Sequence, residues 1–199
     1  MSTRRMVLAA VFAATIAVSA FVVIPIPGSP VPFTMQVLVV LLASAVLGSK
    51  TGFASVLAYL AIGALGVPVF SGGRAGIAVL AGPTGGYLWG FLLASAVVGR
   101  IASGTGSVAD FGAGAGSDAA CSANSDRWRM LLAMSAGIAV IYVFGWVQLA
   151  IVANIGFARA FTVGVLPFIP LDLAKAAAAG SIALRVRRVT ESARASMSL

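Results

Sequence analysis

The sequence is poor in the residues that most enzymes use. It has no histidine, one cysteine (Cys121) and only five acidic residues among 199. Without histidine, zinc and most transition-metal sites lose their usual ligands, and a Ser-His-Asp or Cys-His nucleophile is impossible. Because three of the five acidic side chains share one polar loop, general acid–base work would fall on Asp172, with Lys175 as its neighbour. The sequence therefore predicts a protein that is not an enzyme and holds no metal and no cofactor.

Charge is scarce overall. Charged residues make up 9% of the chain and hydrophobic residues 60%, whereas an ordinary soluble domain is roughly 25% charged. A chain with so few charges cannot cover a globule with solvated side chains, so we expect an integral membrane protein. The net charge of +8 does not indicate nucleic-acid binding, because the arginines stand at the ends of apolar runs instead of clustering on one face.

Apolar runs predict an all-α integral membrane protein, a six-transmembrane-helix bundle in a single membrane domain over residues 1–199. The predicted helices span about residues 6–24, 35–47, 52–65, 86–101, 128–153 and 170–184. The first run could also be a signal peptide, but it is about 20 residues long, as a span is, and more spans follow. Two other segments complete the chain: a flexible linker at 102–125 and a basic C-terminal tail at 185–199, which we expect to be frayed.

Basic residues orient this bundle. An even number of spans puts both termini on one side, and positively charged connections favour the cytoplasm. Assigning the termini inside leaves only Arg74 and Arg159 outside. The inside set is Arg4, Arg5, Lys50, Arg100, Arg127, Arg129, Arg185, Arg187, Arg188 and Arg194. The sequence therefore predicts a multi-pass protein of a bacterial-type cytoplasmic membrane with both termini cytoplasmic.

Three irregular segments fall together on the outer side in this topology. They are a loop with four prolines at 25–33, a glycine-rich stretch at 66–87 and a turn at 164–176. Irregular backbone is tolerated at membrane depth only where it is buried in protein or lines a cavity. Three such segments on one side of a small bundle predict a binding pocket that opens to the outside.

The turn at 164–176 contains the best site candidate. Pro170 can open a helix, because proline is tolerated in the first helical turn. Asp172 then lies in that turn, and Lys175 follows three residues later on the same face. Ionisable residues at the mouth of an apolar helix are costly and usually face a cavity or a partner. The alternative is a purely structural pair whose two charges neutralise each other.

Four motifs, in order and at approximately the same spacing, resemble the BioY family. They read Val31-Pro-Phe-Thr-Met-Gln36, Gly66-Val-Pro-Val-Phe-Ser-Gly-Gly73, Gly82-Pro-Thr-Gly-Gly-Tyr87 and the segment Gly164–Lys175. The resemblance covers nearly the whole chain from Met6 to Leu184. Where that family usually reads Pro-Gly-Asp, this chain reads Pro170-Leu171-Asp172, which keeps the charged pair and stiffens the turn.

The resemblance implies the biotin-specific substrate-binding (S) component of an energy-coupling factor (ECF) transporter, which takes up biotin. The partners it implies are biotin, membrane lipid, a transmembrane coupling (T) component and two cytoplasmic ATPase subunits. The chain has no phosphate-binding motif of its own, so ATP would be used by those partners. A stand-alone biotin carrier without an ATPase module and a structural scaffold subunit remain as alternatives.

The first helix is the part that the resemblance assigns to the coupling protein. Small residues recur there at four-residue spacing, which lets another helix approach closely in lipid. They are Ala9, Ala10, Ala13, Ala14 and Ala17. The alternative is that alanine simply fills an alanine-rich helix.

Biotin has two ureido N–H donors, a ureido carbonyl, an apolar body and a carboxylate tail. We expect Asp172 to accept the ureido N–H groups through charge-assisted bonds, while Lys175 either donates to the ligand or holds Asp172 in place. Arg74, outside in the glycine-rich stretch, is the expected partner of the tail carboxylate, with an interfacial anchor as the alternative.

Further residues near outer helix ends are candidates for the site. Some could present polar groups and others apolar walls, although aromatic residues at helix ends also form interface belts. They are Thr84, Gly85, Gly86, Tyr87, Gln36, Trp146 and Asn154. The proline loop is the expected lid, formed by Pro27, Gly28, Pro30, Val31, Pro32 and Phe33, with a rigid connector as the alternative.

Overall fold

A computed structural model describes residues 2–102 and 123–197, and it is a helical bundle with one short β-hairpin. The helices are α1 Thr3–Ser19, α2 Gln36–Ala64, α3 Ile77–Ala81, α4 Gly85–Ala102, α5 Ala123–Val152, α6 Phe157–Gly164 and α7 Ile169–Met197. The strands β1 (Val23–Ile24) and β2 (Phe33–Thr34) pair antiparallel, with Val23 opposite Thr34 and Ile24 opposite Phe33. The predicted all-α membrane class therefore describes most of the chain.

Helix α2 is folded back on itself at Gly48. This glycine has a φ of 78° and a ψ of 174°, a backbone conformation that is open to glycine but not to ordinary side chains. Gln36 donates from Nε2 to the Tyr59 hydroxyl over 2.6 Å, although a straight helix would hold residues this far apart in sequence about 35 Å from each other. The two arms, 36–47 and 49–64, therefore run antiparallel. They correspond to the predicted helices at 35–47 and 52–65.

The folding of α2 defines two ends of the bundle. We call the end that holds Gln36, Tyr59 and Asp172 the site end, and the end that holds Gly48 the opposite end. Helix α4 runs from the site end to the opposite end, where Gly99 packs against Ser49. Helix α5 returns beside it, and α7 runs antiparallel to α5.

Glycine permits the close packing of these helices. A Cβ atom on Gly90 of α4 would lie 2.8 Å from the Ile141 Cα of α5, and one on Gly52 would lie 2.9 Å from the Ser44 Cα in the other arm of α2. Small residues at such crossings let helix backbones approach, as is usual in membrane bundles. The core between the helices is apolar and includes Leu41, Val56, Phe91, Ile141 and Ala179.

The first helix is shorter at its C-terminal end than predicted. It ends at Ser19, and the residues up to Ile24 include a turn and strand β1, so the prediction of helix over 20–24 was wrong. Ile24 precedes Pro25, which disfavours helical geometry at the residue before it. An apolar run alone does not distinguish a helix in lipid from an extended strand that pairs with β2.

The last helix is longer than predicted. It continues beyond residue 184 to Met197, so the frayed tail at 185–199 is corrected to a helical extension through 197. No proline interrupts this segment, and arginine and alanine are good helix formers. Arg187 is 4% exposed and donates to the backbone carbonyls of Ala102 and Ala45. These carbonyls lie at or near the C-terminal ends of α4 and of the first arm of α2, where such groups lack helical partners.

Two short helices were not predicted. Helix α3 lies within the glycine-rich stretch, and α6 lies between α5 and the turn that begins α7. Neither is long enough to give a clear periodic signal. The predicted linker at 102–125 falls mostly on 103–122, outside the described residues.

Three of the described helices are long and apolar enough to cross a membrane. They are Gln36–Ala64, Gly85–Ala102 and Asp126–Val152, and a fourth span follows if the bent pair Phe157–Gly164 and Ile169–Thr190 counts as one. The chain is thus a helical protein with three to four membrane-capable spans by length and composition. The count of six spans and the position of the termini stay predictions.

Candidate functional site

A cleft opens at the site end between α2, α4, α5, α7 and the two connecting loops. Its empty space is about 630 Å³, a volume that includes open solvent at the mouth, and its cavity volume is about 60 Å³. Its walls are mostly apolar and include Val37, Leu88, Phe91, Ile141 and Phe168. A smaller set of polar side chains converges on it: Thr34, Gln36, Ser71, Arg74, Thr84, Tyr87, Tyr142, Asp172 and Lys175.

Asp172 and Lys175 form a buried ion pair in this cleft. Pro170 lies in the first turn of α7, as predicted, and Asp172 follows within the same turn. The Lys175 Nζ lies 2.7 Å from Asp172 Oδ1, and the two residues are 6% and 3% exposed. Each of these buried charges stabilises the other, because an isolated charge in an apolar site is strongly disfavoured.

Lys175 also contacts the loop that precedes α2. Its Nζ donates to the backbone oxygen of Thr34 over 2.6 Å and lies 3.6 Å from the centre of the Phe33 ring. An ammonium over an aromatic face is attracted by the negative potential of the ring. The lysine therefore joins the start of α7 to strand β2.

Tyr142 completes the surroundings of Asp172 and was not predicted from the sequence. Its hydroxyl donates to Asp172 Oδ2 over 2.8 Å. Both carboxylate oxygens thus have a donor from the protein, yet each oxygen can accept a further hydrogen bond. The sequence offered one indication of this role, a tyrosine within an apolar span. A buried tyrosine hydroxyl usually has a hydrogen-bond partner.

Gln36 lies in the cleft wall, and its amide is hydrogen-bonded through both its oxygen and its nitrogen. Its binding of substrate stays a prediction. Thr34 Oγ1 donates to Gln36 Oε1 over 3.2 Å, and Gln36 Nε2 donates to the Tyr59 hydroxyl, which donates in turn to the Val69 carbonyl over 3.3 Å. Gln36 is only 2% exposed. This chain of bonds fixes the orientation of a polar group that faces the cleft.

A tight turn at 70–74 carries Arg74 to the mouth of the cleft. Gly72 and Gly73 have φ values of 74° and 72°, a region that disfavours residues with a Cβ atom. Phe70 anchors the turn, because its ring is buried and meets the Tyr59 ring edge-on at 5.6 Å. Phe70 N donates to the Arg74 carbonyl over 3.0 Å, which closes the turn.

The structure brings Arg74 together with Thr84, both of which were predicted. Arg74 Nη2 donates to Thr84 Oγ1 over 3.4 Å, and its Nε donates to the Ser71 carbonyl over 3.1 Å. Both acceptors are neutral, so the positive charge of Arg74 stays available at the mouth. Ser71 also lines the cleft and was not predicted.

Tyr87 forms part of the cleft wall, as predicted. Its hydroxyl donates to the Gly164 carbonyl over 2.6 Å. Its ring lies against Gly145, where a Cβ atom would come within 2.6 Å of the Tyr87 Cγ. The absence of a side chain at Gly145 therefore lets the tyrosine lie flat between α4 and α5.

Gly85 and Gly86 are not among the residues that line the cleft. The Gly85 N–H is already donated to the Gly82 carbonyl over 3.0 Å. A Cβ atom on Gly85 would lie 2.7 Å from Gln148 Nε2, and one on Gly86 would lie 2.7 Å from the Gln148 Cβ. Both glycines are thus packing positions that let α4 approach α5. The prediction of a free N–H group is corrected for Gly85 and stays a prediction for Gly86.

Trp146 and Asn154 are likewise displaced from the cleft. Trp146 donates to the Phe157 carbonyl over 2.7 Å, and its ring meets the Phe161 ring edge-on at 5.6 Å, so it packs against α6. Asn154 is exposed in the turn after α5, with a φ of 52°. Asparagine tolerates this left-handed conformation better than most residues do, which gives it a structural role.

The proline loop lies beside the cleft. Val31 is buried, and Val31 and Pro32 line the cleft, while Phe33 lies next to Lys175. The exposed residues of the loop are Pro25, Pro27, Gly28 and Pro30, and Gly28 has a φ of 80°. The loop therefore covers one side of the cleft, and its movement as a lid stays a prediction.

The alanines of α1 do not share one face. Ala9 and Ala13 are buried, whereas Ala10 and Ala14 are exposed and Ala17 is half-buried. The prediction of a single docking stripe is corrected for Ala9 and Ala13, because these two pack within the bundle. Residues four apart share a helix face, and the two pairs are offset by one residue, or about 100°.

Comparison with known proteins identifies the relatives of this chain. A family model described as the BioY family matches residues 1–192. The chain belongs to the BioY family.

Relatives match over almost their whole length. The chain is 41% identical over 187 residues to the "Probable biotin transporter BioY" of Pyrococcus horikoshii, covering 94% of this chain and 98% of that protein. It is 37% identical over 186 residues to the "Biotin transporter BioY" of Thermotoga maritima, covering 94% and 97%. A crystal structure of the S-component for biotin from an ECF-type ABC transporter is 28% identical, with a TM-score of 0.77, and the match covers 94% of this chain and 95% of that one.

Proposed function

We propose that this chain takes up biotin as the substrate-binding S component of an ECF-type transporter. The observation that carries the proposal is the buried Asp172–Lys175 pair in an apolar cleft. The names of its BioY-family relatives, and its likeness to the crystal structure of an S-component for biotin, support the choice of biotin. A transport role without enzymatic activity of its own, and without a cofactor, is consistent with a site that has no histidine.

Biotin suits the polar groups of the cleft. Asp172 receives one hydrogen bond on each oxygen from the protein and still has lone pairs for the two ureido N–H groups. Lys175 gives two of its three N–H donors to Asp172 and Thr34, so its third donor is available to the ureido carbonyl. Charge-assisted bonds of this kind are about twice as strong as neutral ones.

The other end of the ligand would lie toward the mouth of the cleft. Arg74 is the cation there, and its described contacts are neutral. The negative charge of Asp172 disfavours a second carboxylate close to it, whereas Arg74 attracts one. We therefore assign the biotin tail to the side of Arg74 and Thr84, and the apolar body to the walls near Tyr87 and Phe91.

The chain would cross the cytoplasmic membrane six times, by α1, the two arms of α2, α4, α5 and α7. The antiparallel arms support this count, because α2 enters and leaves the bundle at the same end. Both termini would be cytoplasmic, since most arginines then lie inside. The cleft at the site end would face outside, where biotin is captured.

A T component and two cytoplasmic ATPases would supply the energy. The chain has no phosphate-binding motif, so ATP hydrolysis must belong to partners. The exposed Ala10 and Ala14 of α1 are the part of the small-residue stripe that can contact a coupling protein directly. A stand-alone biotin carrier is the remaining alternative within transport.

Titration of the detergent-solubilised protein with biotin tests the proposal. Lipoate is a suitable control, because it has a similar acid tail but no ureido ring. We expect saturable binding of biotin and much weaker binding of lipoate. Absence of biotin binding by the folded protein would contradict the proposal and favour a structural scaffold. Co-purification with the T component and both ATPases then separates the S component from a stand-alone carrier.

A further inference from the structure

Ser71 is an unusual residue of the cleft wall. Ser71 lines the cleft, and its Oγ is fully buried without a hydrogen-bond partner among the described residues. No other described residue of the cleft has a buried side-chain oxygen or nitrogen that lacks a hydrogen-bond partner. Most buried polar side-chain atoms in proteins are hydrogen-bonded, so each exception calls for a partner.

The turn that carries Ser71 is held in place. Its neighbour Phe70 is buried against Gly63, where a Cβ atom would lie within 2.5 Å of the phenyl ring. On the other side, Gly72 and Gly73 have left-handed backbone conformations, and Gly73 N donates to the Phe70 carbonyl over 3.0 Å. The position of Ser71 thus follows from an anchored turn and not from a freely moving loop.

Two polar side chains belong to the same part of the cleft. Arg74 Nε contacts the Ser71 backbone oxygen, and Arg74 Nη2 contacts the Thr84 hydroxyl at 3.4 Å. A guanidinium has five N–H donors, so these two contacts leave donors for a ligand. Hydroxyl groups beside a guanidinium are suited to an anionic oxygen, because all of them can donate to it.

We propose that Ser71 donates a hydrogen bond to the ligand carboxylate, together with Arg74, and that this contact makes the site prefer a free acid over its amide. The inference rests on the proposed function and names a specificity-determining residue within it. Asp172 belongs to a different polar cluster of the cleft, the pair with Lys175, and its negative charge disfavours a carboxylate close to it. The charge distribution therefore directs the acid toward Ser71.

The test measures binding of two ligands, biotin and biotinamide, to Ser71→Ala and to the unmodified protein. The matched control is Ser55→Ala, which removes a buried hydroxyl that bonds the Thr51 carbonyl in α2 and does not line the cleft. We expect Ser71→Ala to weaken biotin binding about tenfold, which corresponds to about 1.4 kcal/mol. Biotinamide binding should fall less than about threefold, since a hydrogen bond to a neutral carbonyl is weaker than one to a carboxylate. The control should bind both ligands normally.

Equal weakening of both ligands, or no change with either, would overturn the assignment of Ser71 to the carboxylate. Ser71→Cys provides a second variant, because a thiol is nearly the same size but a weak donor, and it should reproduce the loss that is selective for biotin. If the unmodified protein does not bind biotin at all, the proposed function fails. If the unmodified protein binds biotin and both Ser71 variants bind biotin as tightly as it does, only this inference fails.

Discussion

Lys175 donates a hydrogen bond to the backbone oxygen of Thr34 across 141 residues of sequence, with an N–O distance of 2.6 Å. The same ammonium pairs with Asp172 and lies over the Phe33 ring. A single side chain therefore connects the charged pair on α7 with the strand that ends the proline loop. A ligand that competes for Lys175 or Asp172 must also affect this loop, because the contacts share one nitrogen.

Replacing Asp172 by Asn tests the charged pair as a ligand site. The amide keeps the shape of the side chain but removes the negative charge and one acceptor. We expect biotin binding to weaken by about 2 kcal/mol or more, the scale of a charge-assisted hydrogen bond in a desolvated site. Calorimetric titration measures the effect, with the thermal midpoint as the control for folding. Unchanged affinity in a well-folded variant would show that the pair has only a structural role.

Tyr142→Phe tests whether orientation of Asp172 contributes to binding. The change removes the hydroxyl that donates to Asp172 Oδ2 and leaves the ring in place. We expect biotin binding to weaken by about 1 kcal/mol, less than with Asp172→Asn. In the double variant the two losses should not add, because Tyr142 acts through the same carboxylate. Fully additive losses would mean that Tyr142 contacts biotin independently of Asp172.

Hydrogen exchange tests the proline loop as a lid. Its prolines restrict the conformations that it must give up on closing, and Gly28 supplies one flexible joint. We expect the amides of Gly28, Ser29, Val31 and Phe33 to exchange more slowly when biotin is bound. Amides in the middle of α4 provide the reference, since they should be protected in both states. Equal exchange of the loop with and without saturating biotin would identify it as a rigid connector.

The two faces of α1 give a matched pair of variants. Ala14→Leu adds bulk to an exposed face, and Ala13→Leu adds the same bulk to a buried one. We expect Ala14→Leu to bind biotin normally but to lose co-purification with the T component. Ala13→Leu should lower stability by about 1–3 kcal/mol through overpacking. Normal co-purification of Ala14→Leu would remove this face from the proposed interface.

Arg187 is expected to stabilise the opposite end of the bundle. Arg187→Met removes the hydrogen bonds to the Ala45 and Ala102 carbonyls, and a hydrogen bond to a charged group is worth about 1.5–3 kcal/mol. We predict a thermal midpoint lower by about 4–8 °C for a loss of about 2 kcal/mol, with biotin affinity nearly unchanged because the cleft lies at the other end. Arg188→Met is the control, since Arg188 is exposed. Equal effects of the two variants would contradict the role of Arg187.

Composition and local spacing were enough to predict the class of the protein and the local part of its site. Scarce charge and long apolar runs require a membrane, whatever the packing, because composition alone decides how much polar surface is available. The pairing of Asp172 with Lys175 was also predictable, since residues three apart on a helix share a face. The glycines at 72 and 73 indicated irregular backbone for a similarly local reason, the freedom of glycine at positive φ.

The distant side chains that join this pair could be identified only from the packed helices. Trp146 and Tyr142 are four residues apart in α5, yet the first packs against α6 and the second reaches Asp172. Gly85 and Gly86 are adjacent to Tyr87 and pack against α5 while the tyrosine lines the cleft. In an apolar helix most faces look alike in sequence, because lipid and protein interior are similarly apolar. The rotation of each helix about its axis is therefore set by shape and by the few polar contacts, and these appear only when the helices are packed together.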